Sequence, residues 1–266
     1  MVQLSKTLTD LSSANKKALV AYIVAGDPTP ETTVPLMHTL VEAGVDVIEL
    51  GMPFSDPEAE GPVIQLAHER ALAHNVSLRH CLEMATEFRK SNSSTPIVLM
   101  GYLNPIEFIG YQQFAKQAEA AGISGTIIVN LPPEESGEMD SVLEAHNIEP
   151  VYLLAPTTTD ERAEIVCRAS RGFVYYVSLK GTTGASTLDI DDVSEKMARF
   201  RKISSLPIMV GFGVKDGASA KAVAGVADGA VVGSAIVKLM EEHRDNPDLL
   251  QQSVKQFVGE LRAAID

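Results

Sequence analysis

The sequence predicts a (β/α)₈ barrel, a closed sheet of eight parallel strands surrounded by helices. Eight short apolar segments recur along the 266 residues, and a helical pattern follows each one. The segments are nearly continuous rather than alternating, as expected of strands that are buried on both faces. One unit takes about 33 residues, the usual size of a βα repeat. An open, doubly wound sheet is the alternative architecture.

Neither a dinucleotide fingerprint nor a domain boundary interrupts this pattern. No G-x-G-x-x-G motif follows a strand, which disfavours a dinucleotide-binding sheet. No linker or shift in composition divides the chain. We therefore expect one barrel domain over residues 1–266.

The predicted elements follow the chain in order. Strands are expected at 19–24, 45–50, 96–100, 126–129, 150–154, 173–177, 207–210 and 230–232. Helices are expected at 3–14, from Pro30 to Gly44, and at 62–73, 78–90, 105–121, 133–146, 159–170, 189–203, 216–226, 234–243 and 247–264. Proline opens several of these helices and glycine closes others, as both residues commonly do. The barrel thus carries an extra N-terminal helix and additional helices after strands two and eight.

Composition excludes several classes of function. A net charge of −13 argues against a nucleic-acid partner, which needs a basic face, but not against a small anion held by backbone amides. Cys81 and Cys167 have neither metal-ligand spacing nor a disulfide framework, which suits a reducing compartment. No signal peptide is evident, and no apolar segment approaches the roughly 20 residues of a membrane span. We expect a cytoplasmic protein that binds no membrane.

Three glycine-rich turns late in the chain predict a phosphate site. They lie at 180–184, 211–213 and 233–234, after the sixth, seventh and eighth strands. Barrels often bind phosphate between the last loops, at the N-terminus of a short helix. Glycine lets backbone N–H groups approach the oxygens, and the helix dipole favours the anion. The alternative is that these are ordinary tight turns.

Two carboxylates flank the loop after the second strand. Glu49 ends this strand, where parallel barrels place their chemistry, and desolvation there is expected to raise its pKa into the range useful for proton transfer. Glu60 stands just before the next helix, where an acid commonly interacts with the helix dipole. Each has a purely structural alternative, and Asp56 and Glu58 between them are expected to be solvated.

Other candidates carry weaker signals. Lys180, after the sixth strand, is placed to form a Schiff base with a carbonyl substrate, or is a solvated loop lysine. The six histidines fall mostly on helical patterns without metal-ligand spacing, so we expect no metal site. Tyr22, Tyr102 and Tyr175 stand near strand ends, where they either line a pocket for an aromatic substrate or close the top of the barrel.

Six segments match one family in order and spacing. ELGMPFSDPEAEGPVIQ at 49–65 is the most specific of them. The others are AYIVAGDP at 21–28, VLMGYLNP at 98–105, YYVSLKGTTGA at 175–185, VGFGV at 210–214 and VVGSAIV at 231–237. Together they resemble the tryptophan synthase alpha subunit family over nearly the whole chain. This family consists of (β/α)₈ barrels that cleave indole-3-glycerol phosphate to indole and glyceraldehyde 3-phosphate.

The resemblance assigns roles to matching positions. It implies that Glu49 is the catalytic glutamate and that Glu60 stands where the family has a catalytic aspartate. It places the phosphate at Gly184, Gly213, Gly233 and Ser234. The substrate-binding candidates, from this match and from positions near strand ends, are Tyr22, Met100, Tyr102, Tyr175, Thr183 and Phe212.

The family also implies a mechanism. Glu49 is expected to protonate the indole ring at C3 and to accept the proton of the side-chain hydroxyl during a retro-aldol cleavage. Glu60 is expected to accept the hydrogen bond of the indole N–H and to stabilise the positive charge that grows there.

Partners and cofactors follow from the same resemblance. The family works as an α₂β₂ complex with a beta subunit, and indole passes through a tunnel to pyridoxal phosphate on that subunit. No cofactor is therefore expected on this chain. The loops at 53–60 and 179–190 are expected to face the partner or to close over the site.

Two departures from the family pattern leave alternatives open. Glu60 replaces the usual aspartate and is one methylene longer, and Asn130 replaces an aspartate often found after the fourth strand. A misplacement of about 1 Å can cost on the order of a hundredfold in rate. The competing hypotheses are an aldolase that uses Lys180, a barrel that only activates the beta subunit, and a stand-alone lyase that releases indole.

Overall fold

A computed structural model describes residues 2–177, 190–211 and 213–266. Its strands are β1 (Ala18–Val24), β2 (Val47–Gly51), β3 (Ile97–Gly101), β4 (Gly125–Ile128), β5 (Glu149–Pro150), β6 (Leu153–Leu154), β7 (Val174–Val177), β8 (Ile208–Gly211) and β9 (Gly229–Val232). Neighbours follow the order β5-β4-β3-β2-β1-β9-β8-β7-β6, and every pairing is parallel. The predicted barrel fold is confirmed.

The barrel closes through one interrupted strand. β5 and β6 lie at opposite ends of the strand order, yet only Val151 and Tyr152 separate them along the chain. Val151 N–H donates to Thr126 O on one side (2.8 Å), and Tyr175 N–H donates to Tyr152 O on the other (3.1 Å). The prediction of one continuous strand over 150–154 was wrong in this detail, because each neighbour pairs with only part of the segment.

The described helices surround the strands. They are α1 (Leu4–Ser13), α2 (Pro30–Glu42), α3 (Pro62–Ala73), α4 (Leu78–Arg89), α5 (Leu103–Ile109), α6 (Tyr111–Ala120), α7 (Gly137–Ala145), α8 (Asp160–Ala169), α9 (Ile190–Phe200), α10 (Gly217–Val226), α11 (Ser234–Glu242) and α12 (Pro247–Ile265). The extra helix at the N-terminus is α1, and the additional helices after the second and eighth barrel strands are α4 and α12.

Two helix predictions need correction. The helix expected over 105–121 is divided into α5 and α6 by Gly110, whose φ of +83° lies in the region that favours glycine. The helix expected over 133–146 begins only at Gly137. The segment before it forms a turn in which Ser136 Oγ donates to Pro133 O and to Asp140 Oδ2.

Apolar side chains of the strands and of α1 fill the inside of the barrel. Val20, Val47, Val98 and Val231 point into it and form a buried cluster with Leu4 and Leu8 of α1. A second, larger cluster packs the outer faces of the strands against the helices. Ser5 N–H and Oγ both donate to the carboxylate of Glu149, the first residue of β5. These hydrogen bonds hold α1 against the amino-terminal ends of the strands. The carboxyl ends of the strands are therefore left as the place for a site.

A buried ion pair joins the loop after β1 to two helices. Arg70 of α3 donates from Nε to Asp27 Oδ1 (2.6 Å) and from its terminal nitrogens to Asp27 Oδ2 (3.1 Å) and Glu241 Oε1 of α11 (3.2 Å). Asp27 is fully buried. Burial raises the pKa of the Asp27 carboxyl, and the hydrogen bond and charge of Arg70 oppose that rise. One guanidinium thus fixes both helices against the mouth of the barrel.

We predict that Arg70→Met lowers the free energy of unfolding by about 3–5 kcal/mol, because it leaves a buried carboxylate without its partner. Urea denaturation of the full chain measures this. Asp27→Asn added to Arg70→Met should recover part of the loss. Arg79→Met is the matched control, since Arg79 and its partner Glu83 are both largely exposed and the pair contributes about 0–1 kcal/mol. Equal losses in the two single variants would contradict the prediction.

Candidate active site

Glu49 is a carboxylic acid held inside the barrel wall. All five residues of β2 are buried, and Ile48 and Leu50 point outward into the helix layer. Side chains alternate along a strand, so Glu49 points inward. It stands beside Tyr22 of β1 and Val98 of β3 in the strand register. Its exposed fraction is 1%, and Oε2 has no hydrogen-bond partner among the described residues.

This environment changes the acidity of Glu49. Burial disfavours the ionised form, and the nearby charge of Glu60 adds to that effect. Together they raise the pKa of Glu49 from 4.5 to about 8. The direction agrees with the rise expected from sequence. At neutral pH the carboxyl of Glu49 therefore keeps its proton.

Glu60 reaches the same cavity from the loop that links β2 to α3. Gly61 is the N-cap of α3 and Pro62 its first residue, so Glu60 stands directly before the helix. Its side chain is only 7% exposed, which sets it apart from the exposed Asp56 and Glu58 of the same loop. Glu60 Oε2 is buried and lies 3.0 Å from His68 Nε2, at an angle outside hydrogen-bond geometry.

The loop is held on both sides. Phe54 N–H donates to His68 Nδ1 of α3 (3.0 Å), and Ala59 N–H donates to the Tyr102 hydroxyl (3.2 Å). The Phe54 and Tyr102 rings stack with their centroids 4.9 Å apart. Tyr102 is not among the described residues that line the cavity, and its hydroxyl supports the loop. These contacts fix where the Glu60 backbone lies.

Both carboxylates line one cavity at the carboxyl ends of the strands. The cavity and its open mouth together enclose about 820 Å³ of empty space. Among the residues that the structure describes, those that line the cavity are Tyr22, Glu49, Ala59, Glu60, Gly61, Ile64, Met100, Val129, Leu153, Tyr175, Val177, Gly213, Val214, Val231, Gly233 and Ser234. Apolar walls with a few polar groups suit a flat aromatic ligand.

Two glycines make room for the pocket tyrosines. A Cβ atom on Gly51 would lie 2.5 Å from the Tyr22 hydroxyl oxygen, and one on Gly211 would lie closer still to the Tyr175 hydroxyl. Both rings are buried. Burial raises the pKa of Tyr22 and that of Tyr175 well above the ordinary value for tyrosine, so both hydroxyls keep their protons. Tyr22 and Tyr175 thus form neutral walls beside Glu49.

Part of the predicted phosphate site lies at the far side of the cavity. Gly213, Gly233 and Ser234 all line it. Gly213 has a φ of +84°, and Gly233 is the N-cap of α11, whose first turn presents backbone N–H groups to the opening. The other predicted site residues, Thr183, Gly184 and Phe212, lie outside the described residues, as does Lys180.

Asn130, the second departure from the family pattern, joins two loops. Its Oδ1 accepts the N–H of Leu103 (2.8 Å), and its Nδ2 donates to Asn104 Oδ1 (3.3 Å). The side chain therefore holds the start of α5 against the loop after β4 without carrying a charge.

His68 was missed in the sequence. It lies on a helical pattern with no second histidine at metal spacing, so its type and position gave no signal. The structure buries it, with an exposed fraction of 1%, between the loop, Tyr22 and Glu60. Within the described ranges no three His, Cys, Asp or Glu side chains are grouped as metal ligands. No helix in the same ranges is long and apolar enough to span a bilayer.

Comparisons with known proteins agree with this geometry. A sequence profile described as tryptophan synthase alpha chain matches residues 8–266. The tryptophan synthase alpha chain of Thioalkalivibrio sulfidiphilus is 52% identical over 266 residues, covering the whole of both chains. That of Chromobacterium violaceum is 54% identical over 252 residues, 95% of each chain. The chain belongs to the tryptophan synthase alpha chain family.

Solved structures extend the likeness to the fold. Tryptophan synthase subunit alpha of Legionella pneumophila superposes with a TM-score of 0.93 at 45% identity, covering 100% of this chain and 99% of the other. A chain of tryptophan synthase from M. tuberculosis, in an aminoacrylate-bound form, gives 0.87 at 33% identity over the full length of both.

Membership of the tryptophan synthase alpha chain family gives the activity. The chain is a carbon–carbon lyase of tryptophan biosynthesis that cleaves indole-3-glycerol phosphate to indole and glyceraldehyde 3-phosphate. Members of this family work with a beta subunit.

The raised pKa of Glu49 predicts a pH dependence of stability. The unfolded chain loses this proton near pH 4.5, whereas the folded chain keeps it until about pH 8. The free energy of unfolding should therefore fall as pH rises through this window, relative to Glu49→Gln, by on the order of a few kcal/mol. Urea titrations of both proteins from pH 4 to 9 measure the difference.

Glu58→Gln is the control, since Glu58 is an exposed carboxylate of the neighbouring loop. Its stability should follow that of the parent chain at every pH. Parallel pH curves for the parent chain and Glu49→Gln would mean that Glu49 has an ordinary acidity.

Proposed function

We propose that Glu49 and Glu60 catalyse the cleavage as a pair, with Glu49 as proton donor and acceptor and Glu60 as the partner of the ring nitrogen. The observation that carries this proposal is the presence of two buried carboxyl groups in one apolar cavity, each with an oxygen that lacks a hydrogen-bond partner among the described residues. Such groups are costly to bury and are typical of functional sites.

The first step is proton transfer to the ring. The carboxyl of Glu49 is protonated at neutral pH and gives its proton to indole C3, which makes C3 tetrahedral and leaves positive charge on the ring nitrogen. The carboxylate of Glu60 accepts the hydrogen bond of the ring N–H and stabilises this charge in a site with little water.

The second step breaks the carbon–carbon bond. Glu49, now ionised, takes the proton of the hydroxyl on the carbon attached to C3. The oxygen of that hydroxyl becomes the carbonyl of glyceraldehyde 3-phosphate, and the electrons of the broken bond return to the ring to give neutral indole. Glu49 ends the cycle protonated, as it began, so no oxidant, metal or cofactor is needed.

The substrate is held at its other end by its phosphate. We assign this group to the backbone N–H groups of Gly213, Gly233 and Ser234, with Gly184 completing the site. Support comes from the N-terminus of α11, which opens on the same cavity as the two carboxylates. Met100, Tyr22 and Tyr175 are proposed to pack on the indole ring, with Thr183 and Phe212 beside it.

The test is indole release from indole-3-glycerol phosphate by the full chain mixed with beta subunit. Glu49→Gln should lower kcat by about 10²–10⁴-fold, because it removes the only proposed proton carrier. Glu60→Gln should also lose most of its rate, whereas Glu60→Asp should stay active because it keeps the charge. Binding of glycerol 3-phosphate should stay near normal in all three variants.

Substantial turnover by Glu49→Gln would refute the role of Glu49. An inactive Glu60→Asp would show instead that the loop requires the longer side chain. The competing Schiff-base reaction predicts that borohydride traps a substrate adduct and that Lys180→Met abolishes it. Trapping of that adduct would replace the proposed mechanism.

The finer partner assignment is also a proposal. We infer an α₂β₂ complex in which pyridoxal phosphate lies on the beta subunit and none lies on this chain. One observation points to a docking position: Phe108 of α5 is 92% exposed, and α5 follows the carboxyl end of β3 at the mouth of the barrel. A large aromatic side chain in this position is typical of a binding anchor.

The free thiols of Cys81 and Cys167 suit a cytoplasmic location.

We predict that Phe108→Ala weakens association with the beta subunit by about tenfold or more without changing the stability of the chain. Calorimetric titration with beta subunit measures the affinity. Ile165→Ala, an exposed apolar side chain on α8, is the control and should bind normally. Equal affinity for Phe108→Ala and the parent chain would remove Phe108 from the interface.

A further inference from the structure

His68 contacts both halves of the site, although it does not line the cavity. Its ring is buried on α3, two turns into the helix that begins after Glu60. Nδ1 accepts the N–H of Phe54 (3.0 Å), and Nε2 lies 3.0 Å from Glu60 Oε2 and 3.3 Å from the Tyr22 hydroxyl. One imidazole therefore joins the loop, the carboxylate and a pocket wall.

The contact with Phe54 decides the tautomer of the ring. A backbone N–H is only a donor, so Nδ1 must be an unprotonated acceptor. The ring proton of neutral His68 then has to be on Nε2, the atom that faces Glu60 and Tyr22. This tautomer is assigned from the hydrogen bond. The loop thus sets which way the histidine donates.

The Nε2–H has two possible acceptors, Glu60 Oε2 and the Tyr22 hydroxyl. Both belong to side chains that border the part of the proposed site where the ring nitrogen of the substrate would lie. Burial raises the pKa of Tyr22, and the charge of Glu60 raises it further, so the hydroxyl stays protonated. Of the two acceptors, the Glu60 carboxylate lies closer to Nε2, at 3.0 Å against 3.3 Å for the Tyr22 hydroxyl. The donor is therefore drawn towards Glu60 Oε2 by a charge-assisted contact.

We propose that His68 is a positioning residue that turns the Glu60 carboxylate towards the ring nitrogen of the substrate, in a tautomer fixed by the Phe54 backbone. The proposal rests on the assigned role of Glu60. Glu60 Oε2 has no hydrogen-bond partner in the free chain, and an Nε2–H that aligns with it in the substrate complex leaves Oε1 to accept the indole N–H. A small rotation of Nε2 or of the carboxylate brings the 3.0 Å contact into line when substrate is bound.

This arrangement offsets the greater length of Glu60. A glutamate side chain has one more rotatable bond than an aspartate, and it must be held in one rotamer to act with precision. The Phe54–His68 hydrogen bond also makes the orientation of Glu60 depend on a folded loop. Nδ1 of His68 has its donor only when residues 52–61 are folded against α3. Loop order and the direction of Glu60 are coupled through one ring.

The test is a double-mutant cycle on kcat, measured for the full chain with saturating beta subunit. His68→Leu should lower kcat by about 10–100-fold and change KM by less than about threefold, because the defect is in positioning rather than in binding. His68→Gln, whose amide nitrogen reaches the place of Nε2, should recover most of that loss. His74, the exposed C-cap residue of the same helix, provides the matched control, and His74→Leu should retain full kcat.

The decisive comparison uses Glu60→Gln as the background. If His68 acts through Glu60, His68→Leu should change kcat by less than about twofold once Glu60 is already replaced. Equal fold-losses in both backgrounds would overturn the positioning role while leaving Glu60 as a catalytic residue. If Glu60→Gln alone keeps full kcat, the assigned role of Glu60 is wrong and the proposal for His68 fails with it.

A spectroscopic measurement keeps the proposal testable if His68→Leu does not fold. Nitrogen-15 NMR of the imidazoles, assigned with His68→Gln, should show Nδ1 of His68 unprotonated and Nε2 protonated in the intact chain. The Nε2–H proton resonance should shift in Glu60→Gln. Protonation on Nδ1, or an unchanged Nε2–H resonance in Glu60→Gln, would overturn the inference.

Discussion

The chemistry that we propose for this barrel depends on the desolvation of one carboxyl group, that of Glu49. Glu49 points into an interior of mostly apolar side chains, and burial together with the charge of Glu60 raises its pKa to about 8. Burying an acid in this way is unfavourable, and it persists only where the surrounding structure is well packed. The stability of the closed sheet is what permits a protonated carboxylic acid at neutral pH, and the proposed mechanism begins from that proton.

The register of the strands explains how distant residues meet. Tyr22 lies beside Glu49 because β1 and β2 pair with these residues opposite one another. Tyr175 reaches the same cavity from β7, across the barrel, and its hydroxyl fits only because the neighbouring strand has glycine at position 211. Glu60 arrives differently, on a loop held by His68 and Tyr102. The wall of the site is thus rigid, and its second acid depends on the order of a loop.

Much of the fold could be predicted from periodicity, because parallel barrel strands are buried on both faces and appear as apolar segments. The division at Gly110 could not, since a glycine inside a helical pattern is tolerated in one context and breaks the helix in another. The interrupted strand at 149–154 depends on pairing with both ends of the sheet, which is a property of the closed barrel. Local sequence does not contain that information.

Some features of the site could likewise be predicted from the sequence, and others could not. Glu49 could be identified as a candidate because an acid at the end of an apolar strand is unusual in itself. Asp56 and Glu58 are exposed, as the sequence led us to expect, whereas the burial of Glu60 comes from the packing of the loop. His68 could not be found from its residue type and spacing, because the role that we propose for it depends on a hydrogen bond from a backbone N–H fourteen residues earlier. The contacts of Tyr102 with Ala59 and Phe54 of the loop depend on folding and were not evident in the sequence either.

The most direct test of this account is the ionisation state of Glu49 itself. Infrared difference spectra between the parent chain and Glu49→Gln, recorded without substrate across pH, isolate the carbonyl band of this one carboxyl group. We expect the carboxyl to be protonated at pH 7 and to ionise near pH 8. A group already ionised at pH 7, with an ordinary midpoint near 4.5, would contradict it.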